Sequence, residues 1–201
     1  NWVASARPVV SIIAKGSRSG QSEARIQASR ALVTELGAQP ADPFGLAFDA
    51  DIYRSIMASD IAAFSRIADD LRAVFLREGV AVVVADSWQN YNPVHDLTHA
   101  LARVAAAEAA VIAGHEIQVF DYPVVMGRLA HAEAGPEHLR LELSPAQIEA
   151  KMALAEQYPE IVDDVRSLSQ AVGQQAFALE SLHHPAPLRS LMCTPDALPW
   201  Y

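Results

Sequence analysis

The sequence predicts an α/β fold with a Rossmann-like layout, in which helices cover both faces of a mostly parallel sheet. Apolar runs of strand length alternate along the chain with segments whose apolar residues recur at helical spacing. One run, residues 80–85 (VAVVVA), is continuously apolar, which is typical of a parallel strand buried on both faces. Because strands that alternate with helices join through right-handed crossovers, we expect a sheet between two helical layers.

The first half of the chain is predicted to contribute two strands and two helices. Gly37 and Gly79 each follow a segment of helical period, where a glycine commonly ends a helix. Asp49 and Asp51 follow the second apolar run and are expected to open a loop. The predicted elements are strand 8–14, helix 22–36, strand 44–48 and helix 59–78.

The second half continues the alternation from the central strand at 80–85. Asn92 and Pro93 have the residue types of a helix N-cap and first helical position. Ser144 and Gln147 have the spacing of a capping box, which marks another helix start. The predicted elements are helix 92–113, strand 116–122, an edge strand at 139–143, helix 145–158 and helix 160–181.

Composition limits the class of protein. The chain has 201 residues, 51% of them hydrophobic and 19% charged, which fits a single domain spanning residues 1–201. A formal net charge of -9 argues against a nucleic-acid partner, because nucleic-acid binders present basic surfaces. No apolar run approaches the roughly 20 residues of a membrane span. Cys193 is the one cysteine, so no internal disulfide can form and a reduced, cytoplasmic location is expected.

The loop after the central strand holds the densest group of chemically useful side chains. Ligands of open α/β sheets bind beyond the carboxyl ends of the strands, which is where residues 86–95 lie. Trp88 and Asn90 are of the types that stack on and hydrogen-bond to a sugar or an amide. His95 falls in the first turn of the following helix, where the helix dipole disfavours protonation and keeps the imidazole able to bind a metal.

His95 and His99 are one helical turn apart, a spacing that allows two histidines to share a metal ion. Such pairs are also frequent by chance, and the spacing alone favours a capping or packing role for both. Asp86 ends the central strand and could either orient His95 as an outer partner or cap the turn.

The segment Tyr91-Asn92-Pro93-Val94-His95-Asp96 leaves an apolar strand and enters an alanine-rich helix. It resembles the second conserved motif of the PIG-L/LmbE-like family of zinc-dependent deacetylases, usually His-Pro-Asp-His. Three more segments are similar to family positions. Ala14-Lys15-Gly16 stands where the family usually has Thr-Asp-Gly, and Lys151-Met152-Ala153-Leu154 resembles its Lys-x-x-Ala stretch. Arg25 and Leu36-Gly37 match the helix that follows the first of these segments, where Ala28 replaces the usual glutamate.

The resemblance implies a Rossmann-like domain that hydrolyses N-acyl groups, most often N-acetyl on an amino-sugar, with one zinc ion per chain. By motif position, His95 would be a zinc ligand. Asn92 would stand where the family has the histidine that assists the transition state; it can donate a hydrogen bond to an oxyanion but cannot carry a charge. Tyr91, Asn90 and His99 are the candidates to compensate for that change.

The family's first motif, Ala-His-Pro-Asp-Asp-Glu, supplies two zinc ligands and the general base. No histidine precedes His95 in this sequence. We expect the strand that carries this motif to lie upstream of Asn1; the alternative is a degenerate member that cannot build the zinc site.

Two further residues are candidates for substrate binding. Arg18, in a glycine- and serine-rich loop, could meet an anionic group on the substrate. Asp51 follows the second predicted strand, where the resemblance places an aspartate that faces the substrate, although acidic loop residues are more often simply solvated. Residues 16–20 match neither a P-loop nor a dinucleotide-binding fingerprint, so nucleotide binding is not expected.

The sequence thus predicts a zinc-dependent hydrolase that removes an N-acyl group from an amino-sugar conjugate or a similar small molecule. A second hypothesis is a non-catalytic family member that binds a sugar-like ligand. A third is an α/β enzyme of another kind, in which His95 or His99 acts as acid or base with Asp86. The alanine-rich, arginine-rich composition suggests a bacterial source, and the apolar tail at 198–201 is compatible with a homo-oligomer.

Overall fold

The fold is given by a computed structural model that describes residues 6–16, 22–90, 92–124, 135–158 and 161–187. The described residues form six α-helices and six β-strands. The helices are α1 Ser22–Glu35, α2 Asp49–Ala58, α3 Ile61–Glu78, α4 Pro93–Ala113, α5 Pro145–Glu156 and α6 Val162–Val172. The strands are β1 Val9–Val10, β2 Gln39–Pro40, β3 Val82–Asp86, β4 Gln118–Tyr122, β5 Glu137–Glu142 and β6 Leu179–His183.

The strands make two sheets with both parallel and antiparallel pairings. β1 and β2 pair in parallel and form the smaller sheet. The larger sheet has the order β3-β4-β6-β5, with β3 and β4 parallel and the other two pairings antiparallel. The predicted mixture of helices and parallel strands is confirmed. The pairings of β6 with β4 and with β5 are antiparallel.

The main core lies between the larger sheet and helices α3 and α4. Leu71 and Val74 of α3 pack with the alanines of α4, of which Ala105 and Ala109 have no exposed surface. Alanine at the contact allows two helix backbones to approach closely. The same core includes Ile13, which follows β1, and Ala41, which follows β2, so both sheets share one hydrophobic interior.

The expectation that the central strand is buried on both faces is wrong for the described residues. Val83 and Ala85 of β3 are buried, whereas Val82 and Val84 remain 46% and 43% exposed. The buried pair packs on the core shared with α3 and α4, and none of the described helices covers the opposite face of β3. The strand therefore has the alternating pattern of a one-sided sheet.

The second predicted strand, at 44–48, is not a strand in the structure. Only Ala47 makes an isolated bridge, to Ala14, and Gly45 has a φ of +79° that interrupts an extended backbone. The loop predicted at Asp49 and Asp51 is the first turn of α2 instead. Acidic side chains suit that turn, because the helix dipole is positive there.

The long helix predicted at 160–181 is also wrong beyond its first half. α6 ends at Val172, and Gly173 has a φ of +80°. A short 3-10 helix, Gln174–Phe177, leads into β6, which pairs with both β4 and β5. Gly173 is of a residue type that commonly ends a helix, so the sequence did indicate this end. The strand that follows depends on partners from elsewhere in the chain.

Several local predictions are confirmed. Asn92 caps α4 with Pro93 at the first helical position, and Ser144 with Gln147 forms the capping box of α5. Gly79 ends α3 in the left-handed conformation that glycine tolerates best. Within the described part of the chain, we find no helix that combines the length and the apolar character needed to cross a membrane.

Candidate functional site

The loop between β3 and α4 lies at the carboxyl end of the parallel pair β3 and β4. Asp86 pairs in register with Tyr122, the last residue of β4, so both strands end at the same edge. Ser87 continues the contact through a backbone hydrogen bond to Tyr122. The loop therefore occupies the position where ligands bind in α/β sheets.

Three side chains form a continuous hydrogen-bonded group at this edge. The Nδ1 atom of His95 lies 2.6 Å from Oδ2 of Asp86. The hydroxyl of Tyr122 donates to the other carboxylate oxygen of Asp86 at 2.7 Å. The carboxylate thus fixes the imidazole with one oxygen and is itself fixed through the other, an arrangement that we call the Asp86 group.

This arrangement determines which nitrogen of His95 is available. With Nδ1 donating its proton to the carboxylate, the lone pair of a neutral ring is on Nε2. Nε2 has no hydrogen-bond partner among the described residues, and the side chain of His95 is 38% exposed. The hydrogen bond to Asp86 raises the pKa of His95, an effect that burial and the positive charge of Arg25 oppose. The structure therefore presents one basic nitrogen to solvent.

The charge at Tyr122 is determined by the same contacts. Burial of the hydroxyl, followed by the negative charge of Asp86, raises the pKa of Tyr122 well above its usual range. The phenol is therefore neutral near pH 7 and acts as a hydrogen-bond donor to Asp86.

His99 has an interior position. It is 1% exposed, and its Nδ1 atom lies 2.9 Å from the backbone oxygen of Asp86. Its Nε2 atom lies 3.3 Å from Nη1 of Arg103, which also donates to the backbone oxygen of Ala186. Burial lowers the pKa of His99, so the ring is neutral near pH 7. Both of its nitrogens are engaged within the protein.

Asp96 organises the backbone of the loop. Its Oδ1 atom accepts hydrogen bonds from the backbone nitrogens of Gln89 at 2.8 Å and Asn90 at 3.3 Å. Asn90 has a φ of +52°, a conformation that asparagine tolerates better than most residues. Burial raises the pKa of Asp96. The buried carboxyl thus maintains the tight turn that precedes α4.

The polar residues predicted to bind substrate are partly engaged with one another. Asn92 accepts a hydrogen bond from the backbone of Val94 through Oδ1, so its amide nitrogen is directed away from the cap. That nitrogen makes no hydrogen bond with the described residues. The indole nitrogen of Trp88 donates to Oδ1 of Asn90 at 3.1 Å, and the Trp88 ring meets the edge of His99. Trp88 and Asn90 therefore hold each other in place.

Sequence analysis missed a buried group below the loop. Asp121, 2% exposed, accepts a hydrogen bond from Ser87 at 2.9 Å, and its other oxygen lies 3.7 Å from Nδ1 of His99. Burial raises the pKa of Asp121. Its position was readable: Asp121 and Tyr122 end the strand parallel to the central strand, which places them at the same edge.

The remaining predicted residues are not brought into the Asp86 group. Asp51 is exposed on α2 and pairs with Arg54 at 2.6 Å. Its neighbour Asp49 accepts a hydrogen bond from the backbone nitrogen of Gly16 at 2.7 Å. Tyr91 and Arg18 lie outside the described residues, so their predicted roles stay predictions.

The described residues fit one position of a zinc site rather than a complete one. Nε2 of His95 is a typical zinc ligand, and a carboxylate on the other ring nitrogen is the usual outer partner of such a histidine. No group of three or more His, Cys, Asp or Glu side chains converges anywhere in the described ranges. A three-ligand site would need donors from outside those ranges.

Comparisons with known proteins add no assignment. No protein-family model matches the chain. Neither a curated protein nor a solved structure gives a significant match.

Proposed function

We propose that this chain is a zinc-dependent N-deacetylase of the PIG-L/LmbE-like type, acting on an amino-sugar conjugate or a related small N-acyl compound. The observation that supports it is the Asp86 group: a carboxylate on Nδ1 leaves Nε2 of His95 basic and solvent-facing, as a metal-binding histidine requires. The other ligands would come from outside the described residues.

Each residue of the site has a distinct part in this proposal. His95 would hold the metal through Nε2, and Asp86 would orient the ring and increase its basicity. Tyr122 would keep Asp86 in place. The chemistry that bound zinc supplies is Lewis acidity toward a carbonyl oxygen and toward water. The free amide nitrogen of Asn92 would donate a hydrogen bond to the oxyanion that develops on the acyl group.

The sheet order is compatible with the Rossmann-like layout that belongs to this proposal. In the doubly wound order, a central first strand separates the second and third strands from the fourth and fifth. The parallel pairs β1-β2 and β3-β4 have the connectivity of those flanking pairs, and among the described strands β1 pairs only with β2, while β3 pairs only with β4. In this proposal, the strand of the family's first motif would lie between β1 and β3.

A second candidate function rests on the same geometry without a metal. The Asp86–His95 pair, with Tyr122 behind it, has the arrangement of an oriented general base, and the hydrogen bond to Asp86 raises the pKa of His95, which makes Nε2 a stronger base. In that case His95 would accept a proton at Nε2 from water or from a substrate hydroxyl. Metal dependence separates the two candidates.

The test is amine release from N-acetylglucosamine conjugates by the natural full-length protein, with and without a chelator. The first candidate predicts that chelation abolishes release, that zinc restores it, and that His95→Ala abolishes both activity and zinc binding. Release that persists under chelation but disappears in His95→Ala would favour the second candidate. Saturable ligand binding without turnover would favour the non-catalytic alternative. His115→Ala, an exposed histidine after α4, is the matched control.

A further inference from the structure

A second concave surface lies between α1 and the segment that leads into α2. It is a groove of about 470 Å³, within the size range of small-molecule sites. Phe44 and Phe48 line one side, and successive turns of α1 contribute Ile26 and Arg30 to the other. Lys15, at the end of the β1 segment, completes the lining. We call this surface the α1 groove.

Two cations in the α1 groove are held by aromatic faces rather than by carboxylates. Nζ of Lys15 lies 4.7 Å from the centre of the Phe48 ring, and Cζ of Arg30 lies 4.6 Å from the centre of the Phe44 ring. Neither cation forms an ion pair with any carboxylate of the described residues. The one carboxylate of the lining, Glu23, accepts a hydrogen bond from Gln27. The N–H donors of Lys15 and Arg30 are therefore held in place by the aromatic rings, and no carboxylate of the described residues pairs with them.

Gly45 lies in close contact with two of the side chains that line the groove. Gly45 has a φ of +79°, and a Cβ atom there would lie 2.7 Å from Cδ1 of Ile26 and 3.2 Å from Cγ of Lys15. Because glycine lacks this atom, the backbone approaches both side chains closely. The apolar part of the lining therefore packs closely: Ile26 and Phe44 are buried, and Phe48 is the exposed apolar side chain.

We propose that the α1 groove binds a small organic anion that has an oxyanion head and an apolar body. The head would lie between Lys15 and Arg30, where the guanidinium offers a bidentate fork and the ammonium a second charge. The body would rest against Phe48, which is 49% exposed, whereas Phe44 is buried beneath Arg30. Lys15 and Arg30 line the same groove, and neither forms an ion pair with a carboxylate of the described residues, so an anionic head would meet two positive charges there. The proposal is independent of the deacetylase function.

The experiment is an NMR titration of the full chain with phenyl phosphate, which has both parts of the proposed ligand. Wild type is expected to bind at the amides around residues 15, 30 and 44–48, and added salt is expected to weaken binding. Arg30→Gln and Lys15→Met are each expected to weaken binding by about tenfold. Arg30→Lys, which retains the charge, is expected to lose less.

Three controls make the result decisive. Arg66→Gln removes an equivalent exposed charge from α3 and is expected to bind like wild type. Inorganic phosphate and benzyl alcohol, which each supply only half of the ligand, are expected to bind more weakly than phenyl phosphate. Thermal unfolding verifies that each variant remains folded. If Arg30→Gln does not fold, the result for Lys15→Met decides the test. Absence of binding by wild type, equal binding by the variants, or equal binding of benzyl alcohol would overturn the proposal.

Discussion

Asp86 holds His95 through a 2.6 Å contact between Oδ2 and Nδ1, across the turn that joins the end of β3 to the start of α4. The contact assigns the tautomer of the imidazole and leaves Nε2 toward solvent. Tyr122, from the neighbouring parallel strand, secures the carboxylate from the other side. The proposed chemistry of this chain depends on that pair.

Replacing Asp86 by asparagine should weaken zinc binding without unfolding the chain. The amide oxygen can still accept from Nδ1, but the loss of negative charge makes Nε2 a poorer donor to the metal. We expect zinc affinity to fall by about 10–100-fold, measured by competition with a chromophoric chelator. Asp51→Asn, which removes an exposed carboxylate from α2, is the control. Equal affinities in the two variants would contradict a role for Asp86 in orienting His95.

The two histidines should titrate on opposite sides of their ordinary pKa of 6.5 in the metal-free protein. The hydrogen bond to Asp86 raises the pKa of His95, and burial lowers the pKa of His99. Long-range proton–nitrogen NMR spectra, recorded between about pH 4 and 9 in steps of roughly one pH unit, measure the pKa of each histidine. The reverse order, with His99 titrating first as pH falls, would contradict the described environments.

The lowered pKa of His99 should also make the folded state sensitive to acid. A group whose pKa is lowered on folding stabilises the protein above its unfolded pKa, and that contribution is lost as pH falls through the folded value. The free energy of unfolding should therefore decrease below pH 6.5, the ordinary value for histidine, as urea titrations would show. His99→Gln should flatten this decrease. An unchanged slope in His99→Gln would assign the acid sensitivity to other groups.

Asp96 should stabilise the loop through the two backbone hydrogen bonds that it accepts. Asp96→Ala leaves one buried and one partly buried N–H group without this acceptor, and we expect it to reduce the free energy of unfolding by about 2–4 kcal/mol. Asp96→Asn keeps an acceptor oxygen and should lose less than about 1.5 kcal/mol. Urea unfolding of both variants provides the comparison. Equal losses would mean that the negative charge of the carboxylate, which both substitutions remove, matters more than the acceptor oxygen that Asp96→Asn keeps.

Gly45 and Gly79 provide a matched pair for testing the close approach in the α1 groove. Both have positive φ, but a Cβ atom at Gly79 meets nothing within 4 Å, whereas one at Gly45 lies 2.7 Å from Ile26. Gly79→Ala should cost about 1 kcal/mol from the backbone alone. Gly45→Ala should cost at least about 2 kcal/mol, because overpacking adds to that strain. Similar losses in denaturant titrations would show that the contact at Gly45 relaxes freely.

Local signals in the sequence predicted local structure well. Asn92-Pro93 and Ser144 with Gln147 marked helix starts, and Gly79 marked an end, because caps and stops depend on a few adjacent residues. The strand missed at 179–183 has a non-local cause. Residues 179–183 form a strand because β4 and β5 supply its partners, and nothing in the segment itself signals that pairing.

The candidate site was predictable in position but not in detail. The sequence placed Asp86 and His95 together at the end of a strand, and the structure brings them into contact. Tyr122 and Asp121 end a predicted strand, but the sequence analysis did not single them out, because their contact with Asp86 and His99 depends on β4 lying beside β3. Nor did it reveal that His99 faces inward, because the helical face that His99 shares with His95 packs partly on the sheet.

The most direct test of the central claim is the zinc content of the natural full-length protein, by elemental analysis of wild type, His95→Ala and His115→Ala. The proposal predicts about one zinc per chain in wild type and in His115→Ala. It predicts loss of zinc in His95→Ala, with an unfolding midpoint close to that of wild type. Stoichiometric zinc retained by folded His95→Ala would contradict the assignment of His95 as a metal ligand.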